Sequence, residues 1–339
     1  MVDFLRGGLK PIILYVDIYA LLVNYIHPLP LVTHRLAYYR HLTTAVLSSL
    51  GVSPEQIAHI DESSYAYTEA FTREFHKLIV TMRRQDAHCT SEVAETEMLS
   101  PLLCCLHQTL GEVFTDMDIQ FGGLDQYELF THSVTFLPLI NHKRREHIMN
   151  NMVPSLKYSD SSPASPTISA PSSPSSKMSS SDSGDAKIEF LDDFDTIYRK
   201  ISNADCATGD ISLTNSILGL IREVIWPISE MRVERLEGDV GCNIREGLNL
   251  PALQLPFTSA SAPQGTILTV HNSETSLQSH YSSLCQLERD YQKALITPQD
   301  LKCTVIAVLD QLLQPIREIY KSSEIWQDVE RKAYPGGVY

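Results

Sequence analysis

One short stretch of this sequence has residue types and spacing that suit phosphate chemistry. It consists of Lys177, Met178, Ser179, Ser180 and Ser181. A loop with a lysine and three hydroxyls can bind a polyphosphate and release it afterwards. We therefore consider these five residues candidate catalytic residues, while the same letters also fit a solvated polar loop.

The stretch is followed by an apolar run at helical spacing, with acidic residues early and basic residues late. Helices favour this order of charges because of their dipole. The apolar positions are Ile188, Leu191, Phe194, Ile197, Tyr198 and Ile201. The pattern predicts a loop joined directly to a helix.

The elements that must position this loop alternate along the first half of the chain. An apolar run between Pro11 and Asp17 predicts a buried strand, and a second candidate strand follows the turn at Ser53. Helical spacing predicts three helices, over residues 31–50, 64–84 and 97–115. Such alternation is typical of an α/β fold with a doubly wound parallel sheet.

The second half of the chain is predicted to be mainly helical. A helix follows Ser212 or Thr214 as its cap and is expected to stop at Pro227. Two further helices are expected near the C-terminus. Thr297 caps the second of them, and Pro298 takes its first helical position.

Composition divides the chain into four consecutive parts. Residues 157–176 are mostly Ser and Pro and have no side chain larger than Ile after Tyr158, which predicts disorder. The four parts are an α/β domain at 1–156, this insertion at 157–176, the lysine loop with its helix at 177–206, and a helical domain at 207–339.

Overall composition limits the classes of function. A formal net charge of −14 argues against sequence-independent binding of nucleic acid, which needs a basic surface. Seven cysteines without CxxC spacing favour a reduced compartment, with neither a disulfide framework nor zinc. The apolar run near the N-terminus is broken by Asp17 and Asn24, so no membrane span is expected.

Five collinear blocks of the sequence resemble the class I tyrosyl-tRNA synthetases, in particular their eukaryotic and archaeal branch. Residues 177–181 resemble the KMSKS loop of that family. The other blocks are VDFLRGG with ILYVDIYALLVN, MDIQFGGLDQ, HIMNNMVPSL and TPQDLKCTVIAVLDQLLQPIREIY. Together they run from about residue 2 to about residue 320.

The resemblance implies a Rossmann-type catalytic domain followed by an α-helical anticodon-binding-like domain, in a homodimer. It implies that ATP activates tyrosine as the adenylate and that the tyrosyl group then passes to tRNA. Magnesium would accompany the nucleotide as a counter-ion, without a protein-bound metal. The resemblance also implies a cytoplasmic protein that does not bind membranes.

The family's His-x-Gly-His motif, known as HIGH, occurs nowhere in the sequence. The resemblance implies that residues 1–156 start after the family's first strand and this motif. A longer form of the protein and a genuinely shortened enzyme are both open explanations.

The resemblance also places the amino-acid pocket on this sequence. The positions that match the family's pattern Tyr-x-x-x-Gln-x-x-Asp are Cys104, Gln108 and Gly111, and Gln126 closes the GGxDQ element. The aspartate that binds the substrate phenol is thus Gly111 here, so we expect the pocket to lack a partner for a buried hydroxyl. Asp300 is expected either to contact the first anticodon base or to cap its helix.

The resulting expectation is a tyrosine–tRNA ligase-like protein that acts on tyrosine or a related amino acid. One alternative is a divergent paralogue that forms amide bonds from an aminoacyl adenylate or aminoacyl-tRNA. Another is a non-catalytic RNA- or protein-binding module that kept the scaffold. The KMSSS stretch favours an ATP-using enzyme, whereas Gly111 and the lack of His-x-Gly-His favour the alternatives.

Overall fold

The computed structural model describes residues 1–23, 29–88, 97–156, 178, 184–236, 255–275 and 277–336. The chain groups into two compact units. The first comprises Met1–Thr44, Pro54–Asn151 and Ser323–Tyr339. The second comprises Ala45–Ser53 and Met152–Ser322. The division predicted from composition, with boundaries after residues 156, 176 and 206, stays a prediction.

Helices and short strands alternate first, and helices dominate afterwards. In the described residues the strands are β1 Ile12–Tyr15, β2 Ala58–Asp61, β3 Ile119–Gly123, β4 Glu146–Asn150, β5 Leu268–His271 and β6 Gln278–Tyr281. The α-helices are α1 Val2–Arg6, α2 Asp17–Val23, α3 Leu29–Ser49, α4 Ser63–Ala66, α5 Glu69–Thr81, α6 Cys104–Phe114, α7 Tyr127–Phe136, α8 Phe194–Asn203, α9 Ser216–Leu220, α10 Trp226–Leu236, α11 Leu284–Gln292, α12 Pro298–Ser322 and α13 Glu324–Ala333.

The strands of the first unit form two parallel pairs. Strand β1 pairs with β2, from Ile12 opposite Ala58 to Tyr15 opposite Asp61. Strand β3 pairs with β4, from Ile119 opposite Glu146 to Gly123 opposite Asn150. Parallel neighbours need a crossover connection, which α2 and α3 supply for the first pair and α7 for the second. The predicted Rossmann-type α/β fold is confirmed.

Aromatic and aliphatic side chains of α4 to α7 build the core of the first unit. Thr68 sets the start of α5, because its hydroxyl accepts a hydrogen bond from the backbone N–H of Phe71 at 3.2 Å. The buried cluster consists of Tyr65, Phe71, Leu78, Cys105, Leu106, Leu110, Leu129, Phe136, Leu137 and Ile140. Helix α6 crosses this cluster and supplies three of its members.

The second unit is organised by α12, which packs against α8. The side chains of Ile197 and Ile201 on α8 are fully buried. The ammonium group of Lys302 donates to the carbonyl of Ser202 at 2.9 Å and fixes the end of α8. Strands β5 and β6 form an antiparallel hairpin in the same unit.

Several local predictions are confirmed and others are wrong. Thr297 caps α12 and Pro298 begins it, as the sequence predicts. Helix α8 begins at Phe194 instead of Ile188, because Asp193 accepts from the N–H of Thr196 and caps it. Helix α6 begins only at Cys104, after a 3₁₀ turn that contains Pro101.

The largest difference concerns Pro227, which does not end its helix. Asn215, and neither Ser212 nor Thr214, caps α9. A π turn at Ile221–Ile225 follows, and α10 continues through the proline. Proline has no N–H and its ring crowds the preceding turn, so the wider π turn lets the helix continue.

No helix in the described part of the chain is long and apolar enough to cross a membrane.

Candidate functional site

Three of the predicted pocket residues lie on one face of α6. Cys104, Gln108 and Gly111 are spaced four and three residues apart, which places them on one side of the helix. Cys104 and Gly111 are buried, and Gln108 is partly buried. The helix therefore presents a thiol, an amide and a bare backbone along one stripe.

The structure brings Gln126 to the same stripe. Gln126 ends the 3₁₀ turn that follows β3, and its side-chain oxygen accepts a hydrogen bond from the Gln108 amide at 3.2 Å. The Gln126 amide in turn donates to the Asp125 carboxylate at 3.3 Å. Two residues that are 18 positions apart in sequence thus form one polar patch.

Gly122 allows this approach. A Cβ at this position would lie 2.8 Å from the Phe130 ring and 3.2 Å from Cγ of Gln126. Those distances are too short for a side chain, so only glycine lets the end of β3 come this close to α7. Packing therefore explains the glycine at position 122 of the GGxDQ block, and Gln126 explains its last position.

A residue that the sequence analysis missed stands next to Gly111. A Cβ on Gly111 would lie 3.3 Å from the hydroxyl oxygen of Tyr65 and 3.5 Å from Leu14. The Tyr65 side chain is buried, and its hydroxyl has no hydrogen-bond partner among the described residues. Tyr65 lies 46 positions before Gly111 in the sequence, and tertiary packing brings the two residues together.

Two buried carboxylate–histidine pairs hold α6 in place. His107 contacts the Glu62 carboxylate at 2.7 Å, and the same carboxylate accepts from the N–H of Tyr19 at 2.8 Å. Glu112, with no exposed surface, contacts His147 at 2.9 Å. Because His107 and Glu112 bond to different neighbours, these contacts fix the rotation of the helix that carries the stripe.

His132 belongs to a separate polar group behind α6. Its Nδ1 lies 3.0 Å from the hydroxyl of Thr109, which accepts from Ser133. Burial lowers the pKa of His132 to about 4, so the ring is neutral near pH 7. Within the described residues, no cluster of three or more His, Cys, Asp or Glu side chains could hold a metal ion.

Of the five candidate catalytic residues, only Met178 lies within the described residues. Lys177, Ser179, Ser180 and Ser181 lie outside them. The N–H of Met178 donates to the carbonyl of Val153 at 2.9 Å, and its sulfur accepts from the N–H of Ile188 at 3.4 Å. Met178 is therefore hydrogen-bonded to one residue before and one residue after the stretch 177–181.

A second contact lies close to this anchor. The hydroxyl of Ser155 and the N–H of Leu156 both donate to the carbonyl of Ala186, at 3.0 and 2.9 Å. Residues 153–156, Met178 and residues 186–188 thus form one hydrogen-bonded set, which we call the collar. The collar holds both ends of the segment between Leu156 and Met178.

Asp300 is a helix cap in this structure. One carboxylate oxygen accepts from the N–H and hydroxyl of Ser273 at 2.7 and 2.8 Å, and the other accepts from the N–H of Thr297 at 2.8 Å. Burial raises the pKa of Asp300, but hydrogen bonds from Ser273 and Thr297 outweigh it and leave the pKa lowered. Only 2% of the residue is exposed, so contact with a base requires this group to open.

The predicted site residues are divided between the two units. The α6 stripe and Gln126 belong to the first unit, while Met178 and Asp300 belong to the second.

Comparison with known proteins identifies the class. A family model described as tRNA synthetases class I (W and Y) matches residues 1–220. The structure is similar to a tyrosyl-tRNA synthetase from Archaeoglobus fulgidus, solved with L-tyrosine, with a TM-score of 0.70 and 20% identity over 94% of this chain and 82% of that one. A tyrosyl-tRNA synthetase from Leishmania major gives a TM-score of 0.67 with 17% identity, covering 97% of this chain and 50% of that one. The chain belongs to the class I tRNA synthetases of the tryptophan and tyrosine group.

Within that group, the sequence is similar to tyrosine–tRNA ligases. The cytoplasmic enzyme of Saccharomyces cerevisiae is 30% identical over 99% of this chain and 75% of the relative. The cytoplasmic enzyme of Gallus gallus is 31% identical over 98% of this chain, which spans 54% of that relative. The resemblance to tyrosyl-tRNA synthetases stated from the motifs is confirmed.

Proposed function

We propose that this protein is a tyrosine–tRNA ligase that activates tyrosine, or a closely related amino acid, with ATP and transfers it to tRNA. The observation that carries the proposal is the hydrogen bond between Gln108 and Gln126. It unites two family motifs in one polar patch at the carboxyl end of β3, where Rossmann-type folds bind their ligands.

The polar patch suits the α-amino group of an amino acid. Each glutamine oxygen accepts two hydrogen bonds, and the Gln126 oxygen uses one for Gln108. Its other acceptor position can take an ammonium proton. The other two positions of the stripe, Cys104 and Gly111, are buried, and the substrate side chain is proposed to lie against them.

Activation requires charge neutralisation and positioning more than covalent help. The substrate carboxylate attacks the α-phosphorus of ATP, and pyrophosphate leaves. Lys177 is proposed to neutralise the phosphates as charge moves onto the leaving group, with Met178 and Ser179 to Ser181 setting the loop around it. Magnesium is proposed to arrive with the nucleotide.

The tRNA is the proposed acceptor of the activated amino acid, and Asp300 is proposed to meet the first anticodon base after its capping group opens. We also propose a homodimer in the cytoplasm, on the strength of the relatives' names and the family resemblance.

A second candidate function is a binding module, or an amide-forming paralogue, that uses the same amino-acid pocket without the full ligase reaction. The observation that favours it is Gly111, which stands where the family pattern has the aspartate that binds the substrate phenol. In both candidates the pocket binds an amino acid, so binding and activation must be measured separately.

Calorimetric titration with L-tyrosine tests the pocket. Gln126→Leu should weaken binding about tenfold or more, since it removes the proposed acceptor of the ammonium group. Gln286→Leu, on an exposed glutamine of α11, is the matched control and should bind as the unmodified chain does. Equal affinities for all three proteins would show that the patch does not bind the amino acid.

Tyrosine-dependent exchange of pyrophosphate into ATP separates the two candidate functions. Lys177→Ala should lower the turnover of this exchange far more than it raises the tyrosine KM. Tyrosine binding without any exchange would favour the second candidate.

A further inference from the structure

The hydroxyl of Tyr65 is a buried polar group that the described residues leave unsatisfied. Tyr65 is 8% exposed, and its ring packs against Phe71 and Phe114 at centroid distances of 5.8 and 5.6 Å. A buried hydroxyl without a partner destabilises the fold, so its presence in a packed core needs an explanation. A ligand that pairs with it would provide one.

The place of this hydroxyl gives it a role in the pocket. It lies beside Gly111, at the end of the α6 stripe that begins with Cys104 and includes Gln108. A side chain at position 111 would begin 3.3 Å from the Tyr65 oxygen. The Tyr65 hydroxyl therefore lies next to position 111, where an aspartate side chain would contact the substrate phenol.

The protonation state of Tyr65 also suits a hydrogen bond. Burial, and then the nearby carboxylates of Glu62 and Asp17, raise the pKa of Tyr65 well above its usual value. The group thus keeps its proton at neutral pH and can both donate and accept. No charge has to be buried for it to bind a second hydroxyl.

We propose that the Tyr65 hydroxyl takes the place of the missing aspartate and binds the side-chain hydroxyl of the substrate. Tyr65 is then a specificity-determining residue that selects an aromatic amino acid with a ring hydroxyl over one without it. This inference rests on the proposed function, because it assumes that the α6 stripe binds the amino acid. It replaces the expectation, drawn from Gly111 alone, that the pocket has no partner for such a hydroxyl.

Calorimetry with L-tyrosine and L-phenylalanine tests the proposal on the full chain. The unmodified protein should prefer tyrosine. Tyr65→Phe should weaken tyrosine binding about tenfold and leave phenylalanine binding unchanged, so that the preference falls by the same factor. Tyr198→Phe, on an exposed tyrosine of α8, is the control and should keep the preference.

Thermal unfolding without ligand supplies a second, independent readout. If the Tyr65 hydroxyl has no partner in the protein, Tyr65→Phe should leave Tm unchanged or raise it. A Tm lowered by several degrees would mean that the protein itself binds the hydroxyl, and the proposal would be wrong.

Binding data distinguish an error in the proposed function from an error in the role of Tyr65. If the unmodified chain binds neither amino acid, the proposed function is wrong and the role of Tyr65 falls with it. If the chain prefers tyrosine and Tyr65→Phe keeps that preference, only the role of Tyr65 is wrong.

Discussion

At the scale of single residues, His132 shows how burial couples a side chain to pH, because burial outweighs the attraction of Asp86 and lowers the pKa of the ring. The ring contacts Thr109 and packs on Phe136, and its Nε2 has no hydrogen-bond partner in the described part of the chain. Protonation would place a charge in this interior. The unfolded chain pays no such penalty, so it binds the proton more readily than the folded chain.

The sign of the effect follows from the pKa of about 4 in the folded state and the ordinary value of 6.5. Stability from a neutral His132 is fully present above about pH 6.5 and is lost as the pH falls towards 4. In the His132→Gln variant, the free energy of unfolding should fall by roughly 2–3 kcal/mol less over this pH range than in the unmodified protein. Urea titrations at several pH values check it, and parallel curves for both proteins would contradict it.

At the same scale, short motifs point to Gln108 and Gln126, which lie next to each other in the structure, but no motif points to Tyr65. Gln108 and Gln126 were found because each lies in a short motif with fixed spacing. Tyr65 has no motif of its own, and its relation to Gly111 depends on how α4 packs against α6. Long-range packing of this kind leaves no periodic pattern in the sequence.

At the scale of elements, local rules predicted the start of α12 but not the course of α9 and α10. Thr297, Pro298 and Asp300 form a cap within four consecutive residues, so the local sequence is enough to predict where the helix begins. The continuation of the helix through Pro227 does not follow from adjacent residues. It depends on the π turn before the proline, which is stabilised by the packing of fully buried Ile221 and Ile225. Tertiary packing therefore overrides the usual effect of proline.

Close packing of α9 gives a prediction for Gly219. A Cβ at this position would lie 2.5 Å from Cδ of Pro154, which is too short for any contact. Gly219→Ala should therefore destabilise the protein by about 1–3 kcal/mol, despite the better helix propensity of alanine.

The matched control is Gly184→Ala, because a Cβ there would meet no atom of the described residues within 4 Å. Its free energy of unfolding should stay within about 0.5 kcal/mol of the unmodified value. Both values come from urea unfolding followed by circular dichroism. A neutral Gly219→Ala would show that Pro154 can move away at little cost.

At the scale of the whole molecule, the collar determines how the chain tolerates its Ser/Pro insertion. Leu156 and Met178 are both tied to neighbouring backbone, so the segment between them leaves and returns within one hydrogen-bonded set. The predicted disorder of residues 157–176 concerns a segment outside the described residues.

Deletion of residues 157–176 should therefore leave folding intact. A longer loop adds only a small entropic cost, so its removal should change the free energy of unfolding by less than about 1 kcal/mol. Circular dichroism and urea unfolding of the deletion variant measure the effect. Loss of cooperative unfolding would show that the segment contributes to the core.

The collar also restricts the position of Lys177, because this residue is bonded directly to Met178. In a flexible tether, the local concentration of a terminal group falls with tether length. Lys177, however, is joined by one peptide bond to Met178, so their Cα atoms stay about 3.8 Å apart. Met178 is itself fixed to Val153 and Ile188. The length of the Ser/Pro segment therefore has no effect on how closely the backbone of position 177 is tied to the collar.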